Sequence, residues 1–247
     1  MNIIRDLAQG TDAWRAWRQA GVGGSDIAAV VGLAPFEDAT RANVLREKIG
    51  AWERPVNGAM YRGTVLEPHA RHLYTLRTRF PAPPCCVEML GCPWARVSLD
   101  GLCTNGAVLP GERLDWLLEL KCPSWEVHSA ALAGVVPDYY AAQVQWQLLV
   151  CGLSRADFAT FNPSKRFTPA GAVAWEEWRA LPERSRPEAP ADWLAVVPVA
   201  ADPDQQAWLY TEAARFWFEV LEAREALAAE AAKAAPAADE RFAAEVI

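Results

Sequence analysis

Three charged residues could do chemistry together. In "LLELKCP", residues 117 to 123, Glu119 and Lys121 stand two apart inside an apolar run, and "VSLDG" places Asp100 just upstream. In a β-strand, Glu119 and Lys121 point to the same face, because side chains alternate with a period of two. In an isolated E-x-K the ordinary explanation is an ion pair on the wet side of a half-buried strand. Asp100 changes the reading. A hairpin with 18 residues between the two carboxylates brings Asp100 beside Glu119, and paired carboxylates repel unless a cation lies between them. Mg²⁺ suits such hard oxygen ligands, with Mn²⁺ as the alternative, and needs only one or two carboxylates plus a carbonyl. Lys121 could then position or help deprotonate a metal-bound water for hydrolysis of a phosphodiester.

The elements that must position these groups follow from local signals. "TDAWRAWRQAG" reads as a helix capped by Thr11 or Asp12 and ended by Gly21. "GGSDIAAVVGL" follows, with Ser25 at the expected N-cap. A third helix is expected over 38 to 49. A fourth runs from about Tyr61 to Arg77, with Leu66, Ala70, Leu73 and Leu76 on one stripe, and Pro68 places a distinct first turn or a start near Glu67. "CVEML", "ARVSLDGLC" and "DWLLELKCP" read as strands, with "TNG" and "PGE" as turns. Residues 138 to 151 form a helix on which Tyr140, Gln143 and Gln147 share a face, while Gln145 points elsewhere and is structural. "ADFATFNP" is a strand. "WLAVVPVAA" is an edge strand because of Pro198. Asp202, Pro203 and Gln205 start a long helix. Its stripe of Leu209, Ala213, Phe216, Val220, Ala223 and Leu227 is assigned to the core, and the tail past Lys233 is expected to fray.

The totals narrow the class. At 247 residues and 52% apolar, the chain can bury a sizeable core. No long apolar span or signal-peptide core is present, so a soluble protein of the cytoplasm without a membrane role is expected. The six cysteines form no C-x-x-C pair and read as reduced thiols. A net charge of −7 argues against passive coating of nucleic acid. It leaves room for a local basic channel built from Arg15, Arg18, Arg71, Arg77, Arg79, Lys165 and Arg166.

Five ordered pieces, "WRQAGVGGSDIAAVVGL", "RGTVLEPHAR", "VSLDG", "LELKCP" and "YYAAQVQWQ", resemble the bacteriophage lambda exonuclease and YqaJ-type viral recombinase family of the PD-(D/E)xK nuclease superfamily. The resemblance covers about residues 14 to 166. It implies an α/β, restriction-endonuclease-like core, a central mixed β-sheet flanked by helices, in one nuclease domain over 1–247, with a C-terminal strand and long helix at about 193–231. It implies that Asp100, Glu119, the Leu120 carbonyl and Glu67 hold the metals, with Lys121 assisting the water and Gln143 holding the water or a phosphate oxygen. Arg18, Ser25 and Ser98 would bind a 5′-phosphate, and Tyr140 and Gln147 are further candidates. Arg18 offers a planar fork suited to phosphate oxygens; otherwise it reads as a solvated helix charge and Ser25 as an ordinary cap. Trp14 and Trp17 are candidates for stacking on a DNA end.

The activity so implied is a Mg²⁺-dependent 5′-to-3′ exodeoxyribonuclease acting on double-stranded DNA ends. A homotrimer ring and a single-strand annealing recombinase as partner are implied in the same way. A restriction-like endonuclease and a non-catalytic DNA-end-binding protein are the alternatives. The stretch between Lys121 and Tyr140 is short against the family pattern, and residues 167 to 203 match little of it.

Overall fold

The computed structural model describes residues 1–107, 113–163, 175–182 and 188–234. The "PGE" turn, Lys165, Arg166 and the alanine-rich end lie outside them.

Two sheets meet at Asp100. Strands β1 (Asn2–Ile4), β2 (Cys85–Met89) and β3 (Cys92–Leu99) form an antiparallel three-stranded sheet. Strands β4 (Gly101–Ala107), β5 (Arg113–Lys121), β6 (Arg155–Phe161) and β7 (Leu194–Ala200) form a four-stranded one in that order. The β5–β6 pair is parallel and its neighbours antiparallel, so this sheet is mixed. A parallel pair needs a crossover, here supplied by α5 (Trp125–Leu132) and α6 (Asp138–Cys151). The remaining helices are α1 (Asp12–Gln19), α2 (Gly24–Val30), α3 (Arg41–Lys48), α4 (Gly58–Thr78), α7 (Trp175–Ala180) and α8 (Pro203–Ala234). This is the α/β arrangement expected, with helices flanking a mixed sheet, and β7 is an edge strand as Pro198 required.

Several local expectations are corrected. "ARVSLDGLC" is not one strand: the chain changes sheets at Asp100–Gly101. "TNG" is not a turn, because β4 continues through it with a register shift between Thr104 and Ala107. Helix α4 runs unbroken through Pro68 from its cap at Asn57, whose side chain accepts from Met60 N. The carbonyl that Pro68 leaves unbonded belongs to Thr64, which is exposed, so water can satisfy it. The buried face of α4 is Ala70, Leu73 and Tyr74, and Leu76 is exposed. On α8 the stripe is buried from Leu209 to Val220 and packs into the core, whereas Leu227 is exposed. Strand β1, of three residues, and helix α7, of six, are too short to have been marked by periodicity, and α5 was not anticipated.

The core has two parts. One gathers Val97, Leu99, Leu117, Trp146, Phe158 and Phe216, between the sheets, α6 and α8. The other gathers Tyr74, Trp116, Leu118, Leu120, Phe161 and Trp193, behind the mixed sheet. Strand β5 runs between them. Its even positions 116, 118 and 120 enter the second part, and Leu117 enters the first. Glu119 and Lys121 therefore face α6, as the alternation required.

Candidate active site

The strand crossing fixes Asp100. Gly101 pairs with Leu118 across β4 and β5, so Asp100 comes level with Glu119. A Cβ at Gly101 would stand 2.7 Å from Ala82 Cβ and 3.0 Å from Ala82 O, so only glycine permits this close passage. Asp100 Oδ2 accepts from Leu120 N at 2.7 Å. Burial, then the charge of Glu119, raises the Asp100 carboxyl well above the usual carboxylate range, and Glu67 adds to the effect.

Glu119 is 1% exposed. A buried carboxylate of this kind costs several kcal/mol unless it is paired and hydrogen-bonded, and here it is both. Gln143 Nε2 donates to its Oε1 at 2.5 Å, Gln147 Nε2 donates to its Oε2 at 2.5 Å, and the Lys121 ammonium lies on Oε1. The pair is thus not an ion pair on a wet face. The Lys121 ammonium also stands 5.3 Å from the centroid of the Tyr140 ring. Burial alone would lower the Lys121 pKa, but Glu119 and then Asp100 outweigh it and raise the value, so the side chain is an ammonium at neutral pH. Tyr140, Gln143 and Gln147 share the predicted face of α6. Gln145 is turned away, donating to Ala200 O and accepting from Asp202 N.

Glu67 comes from α4. Its Oε1 accepts from Arg71 Nη2 at 2.5 Å, and Arg71 Nε donates to Asp100 O at 2.9 Å. Arg71 thereby ties α4 to the strand crossing. Glu67, Asp100, Leu120, Lys121, Tyr140 and Arg18 all line one cleft of about 650 Å³.

Arg18 is the link to the second group. Its Nη2 donates to Ser25 Oγ at 2.7 Å, and its guanidinium lies 4.8 Å from the centroid of the Trp14 ring. Trp14 Nε1 in turn donates to Ser98 Oγ at 3.1 Å. Ser98 therefore sits one side chain removed from Arg18, behind Trp14. Ser25 is not the N-cap of α2. That position is Gly23, whose N–H donates to Asp26 Oδ2 at 2.8 Å. Ser25 therefore lies inside the first turn of α2, where its hydroxyl bonds the Arg18 fork.

This segment is stitched to β3. Val22 N donates to Trp94 O at 2.7 Å and Arg96 N donates to Val22 O at 3.1 Å. Arg96 Nη1 reaches Trp17 O at 2.5 Å, and Trp17 Nε1 donates to Glu88 Oε1 at 2.8 Å. Trp17 is therefore held as packing rather than offered to a ligand. Gly24 lets α2 lie against α6, since a Cβ there would stand 3.2 Å from Gln147 Cγ and 3.4 Å from Gln143 Cγ. The Arg18–Ser25 pair and the glutamines on Glu119 are thus fixed to each other through one glycine contact.

These placements fall within the span matched by a known family, over residues 13–154, described as the YqaJ-like viral recombinase domain. The chain belongs to this family. Every sequence-predicted site residue, from Arg18 to Gln147, lies inside the YqaJ-like span. Among curated relatives, Protein D345L of African swine fever virus (strain Badajoz 1971 Vero-adapted) is 28% identical over 159 residues, 56% of this chain and 44% of that protein. The match thus spans less than half the length of that relative. Among solved structures, LHK-Exo in complex with dAMP is 26% identical with a TM-score of 0.66, covering 91% of this chain and all of that one. A second structure of it, described as an alkaline exonuclease from Laribacter hongkongensis, is 24% identical with a TM-score of 0.65 over the same shares. The KSHV SOX RNA complex, 12% identical with a TM-score of 0.50 over 88% of this chain and 72% of that one, shares the fold.

Sequence reasoning missed Asp26, Lys48 and Arg71 as partners of the site. Arg71, four residues after Glu67, was legible as a helical pair. Lys48 Nζ meets Asp26 Oδ2 at 2.7 Å, with both side chains almost fully buried, and no local pattern announces that contact.

Proposed function

We propose that this YqaJ-like chain is a metal-dependent exodeoxyribonuclease. It degrades one strand of linear duplex DNA from a 5′-phosphorylated end and leaves a 3′ single-stranded overhang for recombination. The carrying observation is the shared cleft: the Arg18 guanidinium, bonded to the Ser25 hydroxyl, opens onto the same space as Asp100, Glu67, Leu120 and Lys121. The likeness over full length to an alkaline exonuclease, once with bound dAMP, supports the substrate class.

The donor set fits Mg²⁺ or Mn²⁺ in its chemistry. Asp100, Glu119, Glu67 and the Leu120 carbonyl are hard oxygens. Burial first, and then the neighbouring Glu119 charge, raises the Asp100 carboxyl, and a bound cation would relieve both. Among the described residues no three acidic, cysteine or histidine side chains already close round one point. Glu67 is turned to Arg71, and Glu119 Oε1 is filled by Gln143 and Lys121. Glu119 Oε2 has one protein donor, Gln147, and so keeps acceptor capacity for an ion. A bound divalent ion would activate water and offset charge on the scissile phosphate.

The chain's own residues do the rest. Arg18 and Ser25 take the terminal phosphate and set the distance from the strand end to the cleft. Gln143 and Gln147 hold the Glu119 carboxylate in one orientation. The Lys121 ammonium supplies positive charge beside the phosphate and orients the attacking water. Arg71 steadies Glu67 against the strand crossing. A homotrimer ring and an annealing recombinase as partner complete the reading and rest on the resemblance alone.

The test is a linear duplex phosphorylated at one 5′ end, with each strand labelled in turn, incubated with Mg²⁺ beside a closed circular duplex. Mononucleotides from the phosphorylated strand only, abolished by EDTA and by Lys121→Ala, are expected. Cleavage of the circle would replace this reading with an endonuclease. No cleavage with any divalent ion would replace it with an end-binding protein.

A further inference from the structure

The ion pair between Asp26 and Lys48 lies beside the proposed phosphate pocket rather than in it. Asp26 is 3% exposed and Lys48 is 2% exposed. Lys48 Nζ donates to Asp26 Oδ2 at 2.7 Å and to Arg18 O at 2.9 Å. The other Asp26 oxygen, Oδ1, stands 3.7 Å from Arg18 Nη2. Arg18 thus has a full carboxylate beyond hydrogen-bond reach, while its Nη2 bonds the neutral Ser25 hydroxyl.

A guanidinium bound by a carboxylate has its charge cancelled and its fork occupied, and so makes a poor phosphate receptor. Asp26 would reach Arg18 after a movement of about one ångström, to the usual length of a charge-assisted hydrogen bond. What competes for it is the Lys48 ammonium, which shares Oδ2 with the neutral Gly23 N–H and is, among the described residues, the one buried cation bonded to it. Burying a lysine is costly and occurs only where it is paired, and a solvated residue at the end of α3 would serve that helix equally well.

We infer that Lys48 is a positioning residue for phosphate recognition: by occupying Asp26 it leaves the Arg18 fork open to a terminal 5′-phosphate. This rests on the reading of Arg18 and Ser25 as the phosphate pocket. Lys48 touches no substrate. It acts through Asp26, and its removal turns Asp26 from a partner of Lys48 into a competitor of the DNA end.

The experiment uses the full chain with Mg²⁺ and two linear duplexes that differ only in a 5′-phosphate or a 5′-hydroxyl on the labelled strand. The readout is the ratio of initial rates on the two ends, with circular dichroism reporting folding. Arg18→Ala tests the pocket, Lys48→Met tests the inference, and the double variant Asp26→Asn with Lys48→Met separates charge from scaffolding. The expected result is a preference for phosphate in the wild type that Arg18→Ala abolishes. Lys48→Met lowers it about tenfold, the equivalent of one charge-assisted hydrogen bond, and the double variant restores it. A wild type indifferent to phosphate, or an Arg18→Ala variant that keeps its preference, sinks the pocket reading itself. If Arg18→Ala loses the preference and Lys48→Met keeps it, the inference alone is overturned. It is also overturned if the double variant stays impaired, because Lys48 would then act through its bond to Arg18 O. Should Lys48→Met fail to fold, the double variant, which buries no unpaired charge, decides: wild-type preference supports the inference and its loss refutes it.

Discussion

Gln147→Leu should separate stability from activity. Gln147 is 1% exposed and donates to Glu119 Oε2 at 2.5 Å, but its own Oε1 is buried and meets no protein donor. Two terms of opposite sign follow from replacing the amide with a methyl-bearing side chain of similar size. Loss of a hydrogen bond to a charged group costs about 1.5–3 kcal/mol. Removing a buried acceptor that has no partner returns about 1–3 kcal/mol. The net change therefore lies between about 2 kcal/mol lost and about 1.5 kcal/mol gained, each kcal/mol being worth roughly 2–4 °C in Tm for a chain of this size. Activity responds differently. On the proposed function Gln147 orients the Glu119 oxygen with acceptor capacity left for an ion, and loss of such an orienting bond lowers metal affinity or rate about 10- to 100-fold. Urea unfolding, with exonuclease rates across a Mg²⁺ titration, measures both. A stability loss above about 3 kcal/mol would show that Oε1 has a partner, such as bound water, and that the cancellation is false. Unchanged rates at every Mg²⁺ concentration would remove Glu119 Oε2 from the site.

Other changes test the scaffold. Gly21→Ala would place a Cβ 2.2 Å from Trp94 O and 2.4 Å from Arg96 Nε; relief must break the Val22–Trp94 bond, for a loss of about 3 kcal/mol or more by urea unfolding, with weakened preference for 5′-phosphate. Tyr74→Phe removes a donor to Asp157 Oδ2 at 2.6 Å and the acceptor for Trp116 Nε1 at 2.9 Å, and should lower stability by about 2–4 kcal/mol; a Tm within 2 °C or so of wild type would refute that. Burial lowers the pKa of His128, which is enclosed between Thr160 Oγ1 and Asp192 O at 2.7 Å each. Its folded pKa therefore lies below the unfolded one, so its contribution is complete above about pH 6.5 and is lost as pH falls toward the folded value, by up to about 1.4 kcal/mol per pH unit. His128→Gln should flatten that part of the stability profile, and an unaltered slope would reject the assignment.

The parts of the site that sequence made legible are those written in a period. Alternation placed Glu119 and Lys121 on one face of β5, and helical spacing placed Tyr140, Gln143 and Gln147 on one face of α6; the structure turns those faces toward each other. The change of sheet at Asp100–Gly101 was not legible, because the close passage that requires glycine is against Ala82, which no local pattern connects to it. Pro68 misled because its effect depends on whether the freed carbonyl is wet, a property of tertiary exposure. Ser25 misled because Asp26, one residue on, is the better acceptor for the Gly23 amide once both are buried. The Asp26–Lys48 pair was illegible because 21 residues lie between two charges that each look like ordinary surface groups.

The acidity of the chain and the handling of DNA are reconciled by where the charges lie. The whole protein carries −7, yet the cleft is lined by four basic side chains, Arg18, Arg54, Arg62 and Lys121, against the acidic Asp38, Glu67 and Asp100. Two of those carboxylates are proposed ion ligands, so a divalent cation would tilt the cleft further toward positive potential. Asp26, the carboxylate best placed to spoil Arg18, is neutralised by Lys48 from within the core. A net charge of −7 works against duplex that approaches at random, because passive binding needs clustered phosphate contacts. On the proposed function, a strand end brings its terminal phosphate to Arg18 and a scissile bond to Asp100 in one cleft. On that reading the charge distribution would favour ends over internal sites before any base is read, which is the selectivity an exonuclease needs and an endonuclease does not.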